Sequence, residues 1–176
     1  MICVIVLNGG SSSGKSSIAR WLQRLLEGIW LSLSIDDLIR ALPEAGDFVT
    51  VGSGGSVDVG EDFRKAEFSW HAGIAAIART GTGVVVDDVF LGGLASQERL
   101  AVALAGVPII WVGVMCRTDV AEARERDRGD RTVGMARLQA EKVHEGVVYD
   151  LVVDSSDVTP RECASAITAY VRRSGA

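Results

Sequence analysis

Residues Gly9 to Ser16 read Gly-Gly-Ser-Ser-Ser-Gly-Lys-Ser and fill every fixed position of the pattern G-x-x-x-x-G-K-[ST]. The preceding run, Ile2 to Leu7, is apolar and mostly β-branched, as a buried parallel strand should be. The following run, Ser17 to Leu26, carries Ile18, Trp21, Leu22, Leu25 and Leu26 at helical spacing. Strand, Gly-rich turn and helix in that order are the setting of a phosphate-binding loop. Small residues let successive N–H groups curl around an anion, and the helix N-terminus adds a favourable dipole. Gly9, Gly10, Ser11, Ser12, Ser13, Gly14, Lys15 and Ser16 are therefore expected to cradle ATP. Lys15 should reach its β- and γ-phosphates, and the Ser16 hydroxyl should bind Mg²⁺. The alternative, a Gly/Ser-rich turn that binds nothing, fits the flanks less well.

At 176 residues the chain has room for one domain with a substantial core. Its net charge of −5 argues against a nucleic-acid partner, which needs clustered basic residues. Cys3, Cys116 and Cys163 are widely spaced in apolar stretches and read as buried free thiols of a reducing compartment. No run approaches the roughly 20 apolar residues that span a bilayer. The N-terminal apolar run ends in the loop and is no signal peptide. A cytoplasmic protein with no membrane association is expected. The oligomeric state stays open, a homo-oligomer among the options.

Strand-length apolar runs recur at Ile2–Leu7, Trp30–Ile35, Gly83–Val86, Ile109–Val114 and Tyr149–Val153. Helical patterns separate them: Lys15–Leu26, Asp37–Leu42, Glu61–Arg79, Ala95–Ala105, a long Arg-rich stretch from Asp119 to Val143, and Arg161–Arg173. The alternation predicts an α/β fold, a five-stranded parallel sheet with helices on both faces. Ligands of such sheets bind outside the carboxyl ends of the strands. Pro43 to Gly60, with five glycines and alternating valines, reads either as a substrate-side β-hairpin or as a loop.

Carboxylates stand where that rule looks for chemistry. Asp36 is expected to end the second strand, and a carboxylate there can take a proton from an attacking hydroxyl. The competing reading is a helix N-cap. Asp37 is placed in the first helical turn. The third strand runs into Asp87-Asp88, and an apolar strand ending in Asp beside a phosphate loop is the Walker-B arrangement. Asp87 is the metal candidate together with Ser16. Alternation sends Asp88 to the other side, as a substrate-binding candidate, although which of the two aspartates serves the metal is open.

Arg124, Arg126, Arg128 and Arg131 surround Gly129-Asp130. They read either as a solvated helix with Glu–Arg pairs or as an Arg-rich lid over 117–137. Such a lid would bring guanidinium groups onto the transferring phosphoryl. Arg128 and Arg131 are the catalytic candidates, with Lys15 and Asp36, although which arginine acts is open. Phe48, Phe68, Trp70 and Phe90 are candidates to line an apolar acceptor pocket, with purely structural roles as the alternative. His71 and His144 lack metal-ligand spacing and read as structural.

Guanine-specific GTPases need an Asn-Lys-x-Asp segment, and the only asparagine is Asn8. A small-molecule kinase suits the length, Asp36 and the arginines. A nucleotide-binding regulatory module is the alternative, but it needs no base for an acceptor hydroxyl. The kinase reading sharpens on longer stretches: Leu7-Asn8-Gly9-Gly10-Ser11-Ser12, Asp36 within Ile35–Ile39, Val86 to Gly93, and Gly129-Asp130-Arg131. Gln97-Glu98-Arg99, Trp111 to Val114, Val143 to Val147 and Tyr149-Asp150 extend the pattern over nearly the whole chain. Together they resemble the chloramphenicol 3-O-phosphotransferase family. The resemblance implies a P-loop kinase fold and ATP-dependent phosphorylation of the primary hydroxyl of a small antibiotic, with Asp36 as general base. Pro43–Gly60 departs from the family pattern, so the acceptor is left open between chloramphenicol, another hydroxylated antibiotic and a metabolite.

Overall fold

The computed structural model describes residues 2–52, 56–128 and 134–174. Five parallel strands form its sheet: β1 (Val4–Asn8), β2 (Trp30–Ser34), β5 (Gly83–Asp88), β6 (Ile109–Met115) and β7 (Leu151–Asp154). Their order is β2-β5-β1-β6-β7. The chain leaves β1 in the centre of the sheet with β5 on one side and β6 on the other. That is the switch point where an open α/β sheet parts its loops and leaves a crevice. The register aligns Asn8 with Asp88 and with Gly113, and Ser34 with Asp87. The carboxyl ends of four strands thus come level at one edge.

Side chains alternate across the central strands. Ile5, Leu7, Val85, Val112 and Val114 face α1 (Lys15–Leu25) and α7 (Pro160–Ser174), packing on Ile18, Leu22, Cys163 and Ile167. Val4, Val6, Val84 and Val86 face α3 (Glu61–Arg79) and α4 (Leu94–Ala103), packing on Ile74, Ala78 and Leu100. Both faces of the central strands are dry, which is why those runs read as continuously apolar rather than alternating.

Three segments differ from the sequence expectation, and in Pro43–Gly60 the hairpin is the one of the two readings that is observed. The second strand ends at Ser34, and α2 (Ile35–Ala41) starts at once, so Asp36 lies in the first helical turn and does not end the strand. The reason is a capping box. The Ser34 hydroxyl accepts from the Asp37 N–H at 3.2 Å, and the Asp37 carboxylate accepts from the Ser34 N–H at 2.8 Å. The Arg-rich stretch is two helices, α5 (Thr118–Arg128) and α6 (Met135–Lys142), not one. Pro43–Gly60 contains an antiparallel hairpin, β3 (Val49–Val51) with β4 (Val57–Val59). Finally, the fifth strand starts at Leu151, two residues later than expected.

Cys163 is buried and Cys3 and Cys116 are half-buried. Among the described residues, no helix is long and apolar enough to cross a membrane.

The cap of α2 makes a measurable contribution. Burial pushes the Asp37 carboxyl up, but hydrogen bonds from Ser34 and the charge of Arg40 outweigh it and hold the group below its ordinary 3.8. Ser34→Ala should lower stability by about 1 kcal/mol at neutral pH, the usual worth of an N-cap. An Asp whose pKa is depressed by folding stabilises above its unfolded value and loses that contribution as pH falls through the folded one. The difference between Ser34→Ala and wild type should therefore narrow below pH 4, as read by urea titrations on both sides of that value.

Candidate active site

The phosphate loop is built against the C-terminal end of β6. A Cβ on Gly9 would lie 2.6 Å from the backbone oxygen of Val114, so only glycine lets the loop leave β1 at this angle. Ser12 adopts φ 60° and Gly14 φ 90°. A left-handed serine costs about 1–2 kcal/mol, so the surrounding structure must hold it. The hydroxyls of Ser12 and Ser13 are buried without a hydrogen-bond partner. Lys15 is buried and donates to the carbonyls of Gly9 at 2.8 Å and Gly10 at 3.0 Å. Its Nζ also lies 3.9 Å from Asp87 Oδ1.

Asp87 and Asp88 part as pleating requires. Asp87 turns to the α1 face and accepts from the Ser16 hydroxyl at 2.6 Å. Asp88 turns to the α3 face, where burial, with Glu67 and Asp87 nearby, pushes its carboxyl up to about 6. The Val89 N–H, which donates to it at 2.6 Å, and the charge of Lys15 act in the opposite direction. On α3, Glu67 is buried and receives Arg64 Nη1 at 2.9 Å and Arg99 Nε at 3.1 Å. One turn on lies His71, buried, its Nε2 without a partner. Burial lowers its pKa and Arg99 adds to this, while Glu67 opposes.

The donor set fits a nucleotide phosphate and a hard divalent cation. Ser16 and Asp87 present a hydroxyl and a carboxylate oxygen side by side, and Lys15 and the two unpartnered serine hydroxyls stand next to them. The Ser16–Asp87 pair suits Mg²⁺, which takes one or two protein oxygens and completes its shell with phosphates and water.

Asp36, in the first turn of α2, stands two residues beyond Ser34, the strand end that pairs with Asp87. The cap of that helix is made by Ser34 and Asp37. Phe48 is half-buried in the segment entering β3, and its carbonyl accepts from the Gly60 N–H at the foot of the hairpin. Phe90 is a correction: it is 1% exposed and packs on Trp111 inside the α3/α4 core, its ring drawn there by the turn after β5. Phe68 is exposed and Trp70 half-buried on α3. Arg131 lies outside the described residues, and of Arg128 only the backbone at the end of α5 is described.

The arginine helix is not a ladder of solvated pairs. Arg124 reaches the turn after β7 and donates through Nη2 to the Ser155 carbonyl at 2.7 Å. Glu125 is buried and accepts from the N–H groups of Gly134 and Ala136, closing the start of α6. A charge run gives no hint that one member faces inwards, so only the structure reveals this pair. The same holds for Gln139, which accepts from the Ser11 N–H at 2.8 Å, and for Tyr149 and His144. Tyr149 accepts from Asn8 Nδ2 and lies 2.6 Å from His144 Nδ1. Burial pushes the phenol up to about 12, and burial with the charge of Lys15 lowers His144. The phenol thus stays protonated beside the imidazole, and the ring's tautomer sets which of the two donates. The two rings also meet edge to face, with centroids 5.7 Å apart.

Comparison with known proteins agrees with this geometry. Residues 3–172 match the family model described as "Chloramphenicol phosphotransferase-like protein". Proteins named "Putative O-phosphotransferase" from two Mycobacterium tuberculosis strains, CDC 1551 / Oshkosh and ATCC 25618 / H37Rv, are each 32% identical over 180 residues. That alignment spans 92% of this chain and 78% of theirs. Among solved structures, the tunicamycin resistance protein of Deinococcus radiodurans superposes with TM-score 0.69 at 18% identity, over 97% of this chain and 96% of its own. The APS kinase of Mycobacterium tuberculosis, in complex with AMPPNP and APS, gives 0.63 at 16%, over 97% and 98%. The shikimate kinase of Acinetobacter baumannii, in complex with shikimate, gives 0.62 at 13%, over 99% and 95%. These three share the fold, that of P-loop kinases. The match over residues 3–172 settles the lineage: the chain belongs to the chloramphenicol phosphotransferase-like family.

Proposed function

We propose that this protein moves the γ-phosphoryl group of ATP to a hydroxyl of a small antibiotic, with the primary hydroxyl of chloramphenicol as the leading acceptor. The observation that carries the reading is the parting of Asp87 and Asp88 at the end of β5. One carboxylate goes to Ser16 and Lys15 on the phosphate side, and the other goes to the buried face of α3. Family membership supports the phosphotransferase activity, and the family's name supports the acceptor.

Mg-ATP, when bound, would supply the phosphoryl group and a cation that offsets its negative charge. Gly9 to Ser16 would hold the phosphates, and Ser16 and Asp87 would hold the metal. Lys15 would leave the carbonyls of Gly9 and Gly10 to meet charge on the phosphates. Asp36 would take the proton from the acceptor hydroxyl, while Asp88 and Phe48 would help to seat that acceptor. Arg128 and Arg131, on a lid over 117–137, would meet charge developing on the transferring group, where such positioned cations are most effective.

Incubation of chloramphenicol with the enzyme and Mg-ATP should yield drug carrying one added phosphate by mass spectrometry. Unchanged drug, in a preparation that binds ATP, would reject this acceptor and redirect the search to a panel of hydroxylated antibiotics and metabolites. Lys15→Ala should cost about 3–4 kcal/mol of transition-state stabilisation, the usual loss of such an electrostatic contact, read as kcat/KM.

Asp36→Asn should reduce acceptor-dependent turnover roughly 10²–10⁴-fold, as loss of a general base does, with ATP affinity unchanged. Asp37→Asn should stay near wild type, because an amide oxygen still accepts from Ser34. Near-normal turnover in Asp36→Asn would pass the base role to Asp88, and an absence of acceptor-dependent turnover in the wild type would return the regulatory-module reading.

Asp88 generates a stability prediction of opposite sign to that of the α2 cap. A carboxyl whose pKa is raised by folding, here from 3.8 to about 6, keeps its proton longer when folded, so stability falls as pH rises through that window. Asp88→Asn should melt higher than wild type at pH 7.5, by a margin on the order of 2 kcal/mol. The gain should vanish as pH falls towards 4 in thermal melts.

A further inference from the structure

Ser12 is the non-glycine residue with positive φ, 60°, among the described residues. It stands third in the turn Gly10–Ser13, closed by the Ser13 N–H donating to the Gly10 carbonyl at 3.3 Å. A turn with positive φ at that place normally carries Gly or Asn, since a Cβ is crowded there. Two buried side chains from distant parts of the chain grip the residues on either side of it. Gln139 Oε1, from α6, accepts from the Ser11 N–H at 2.8 Å. The Ser155 hydroxyl, just beyond β7, donates to the Ser13 carbonyl at 2.7 Å. Gln139 is 5% exposed and Ser155 3%. Each is itself anchored. The backbone of α6 abuts Gly10, whose Cβ would lie 3.4 Å from Gln139. The Ser155 N–H donates to the Met115 carbonyl at 2.9 Å, and its own carbonyl receives Arg124.

We propose that Gln139 and Ser155 are positioning residues for phosphoryl transfer, which hold Ser12 in its left-handed conformation and so keep the phosphate loop in its binding shape before the nucleotide arrives. A loop already in its bound shape gives up no ordering entropy on binding. The proposal rests on the phosphotransferase reading, because the loop's ligand is taken to be a nucleotide phosphate.

The test uses the full chain and ADP as the probe, titrated by calorimetry, with thermal melts alongside. Gln139→Met keeps length and bulk but removes the accepting oxygen, and Ser155→Ala removes the donor. Each should weaken ADP binding about tenfold, the effect of one buried hydrogen bond. KM for ATP should rise in step while kcat changes little. Ser12→Gly, which accepts positive φ without a Cβ clash, should restore most of the lost affinity when added to either variant. A residue that only supports the fold would lower the melting temperature without that rescue.

Wild-type affinity in Gln139→Met and Ser155→Ala, or a loss that Ser12→Gly does not relieve, overturns the proposal. Should Gln139→Met fail to fold, Ser155→Ala with and without Ser12→Gly decides alone. A wild type that binds no ADP removes the phosphotransferase reading and this one together. A wild type that binds, with variants that bind equally well, removes this one only.

Discussion

The side chain of Asn8 is the fastening on which the site depends. It ends the central strand, it is 1% exposed, and its amide spans three otherwise separate segments. Nδ2 donates to the Val143 carbonyl at 2.8 Å and to the Tyr149 hydroxyl, and Oδ1 accepts from the Phe90 N–H at 2.9 Å. A buried amide that loses a partner bears the full desolvation penalty of the orphaned group, so these segments are held in fixed relation. The end of α6, the approach to β7 and the turn after the aspartate pair thus converge on the residue that precedes the phosphate loop. Tyr149 and His144 extend the chain of donors and acceptors by one step each, and both stay neutral because they are buried.

Two neighbouring carboxylates in one strand acquire unlike properties because pleating puts them in unlike surroundings. Asp87 meets a hydroxyl and an ammonium group. Asp88 meets the edge of an apolar layer in which the nearest charges, Glu67 and Asp87, share its sign, and its proton is held correspondingly longer. The two arginines on Glu67 balance that carboxylate and let it be buried at all. One residue of register would exchange the two environments, so the strand pairing of β5 with β1 sets the electrostatics of the site as much as the side chains do.

Local patterns announced the parts whose causes are local. The loop, the five apolar runs and the parting of Asp87 from Asp88 follow from spacing and alternation within a few residues. The boundary at Ser34 is carried by Ser-x-x-Asp, a local capping pattern that the adjacent pair of aspartates obscures. Phe90 is an aromatic candidate for a pocket wall, and its burial against Trp111 is set by tertiary packing on β6, which β1 separates from β5 in the sheet. Glu125, Gln139 and Ser155 were illegible for the same reason. Each is an ordinary polar residue whose partner sits on another element, and nothing in their own neighbourhood marks them.

The hairpin of β3 and β4 pairs with itself and contributes no strand to the main sheet. It sits, with α2 and α3, inside one uninterrupted stretch of chain between β2 and β5. The phosphate loop and its supports lie wholly outside that stretch, in β1, α1, α6 and the turn beyond β7. The phosphate grip and the hairpin are thus separate along the chain, so a change of length in the hairpin touches neither the hydrogen-bond ladder of the main sheet nor the contacts of Gln139 and Ser155 with the loop.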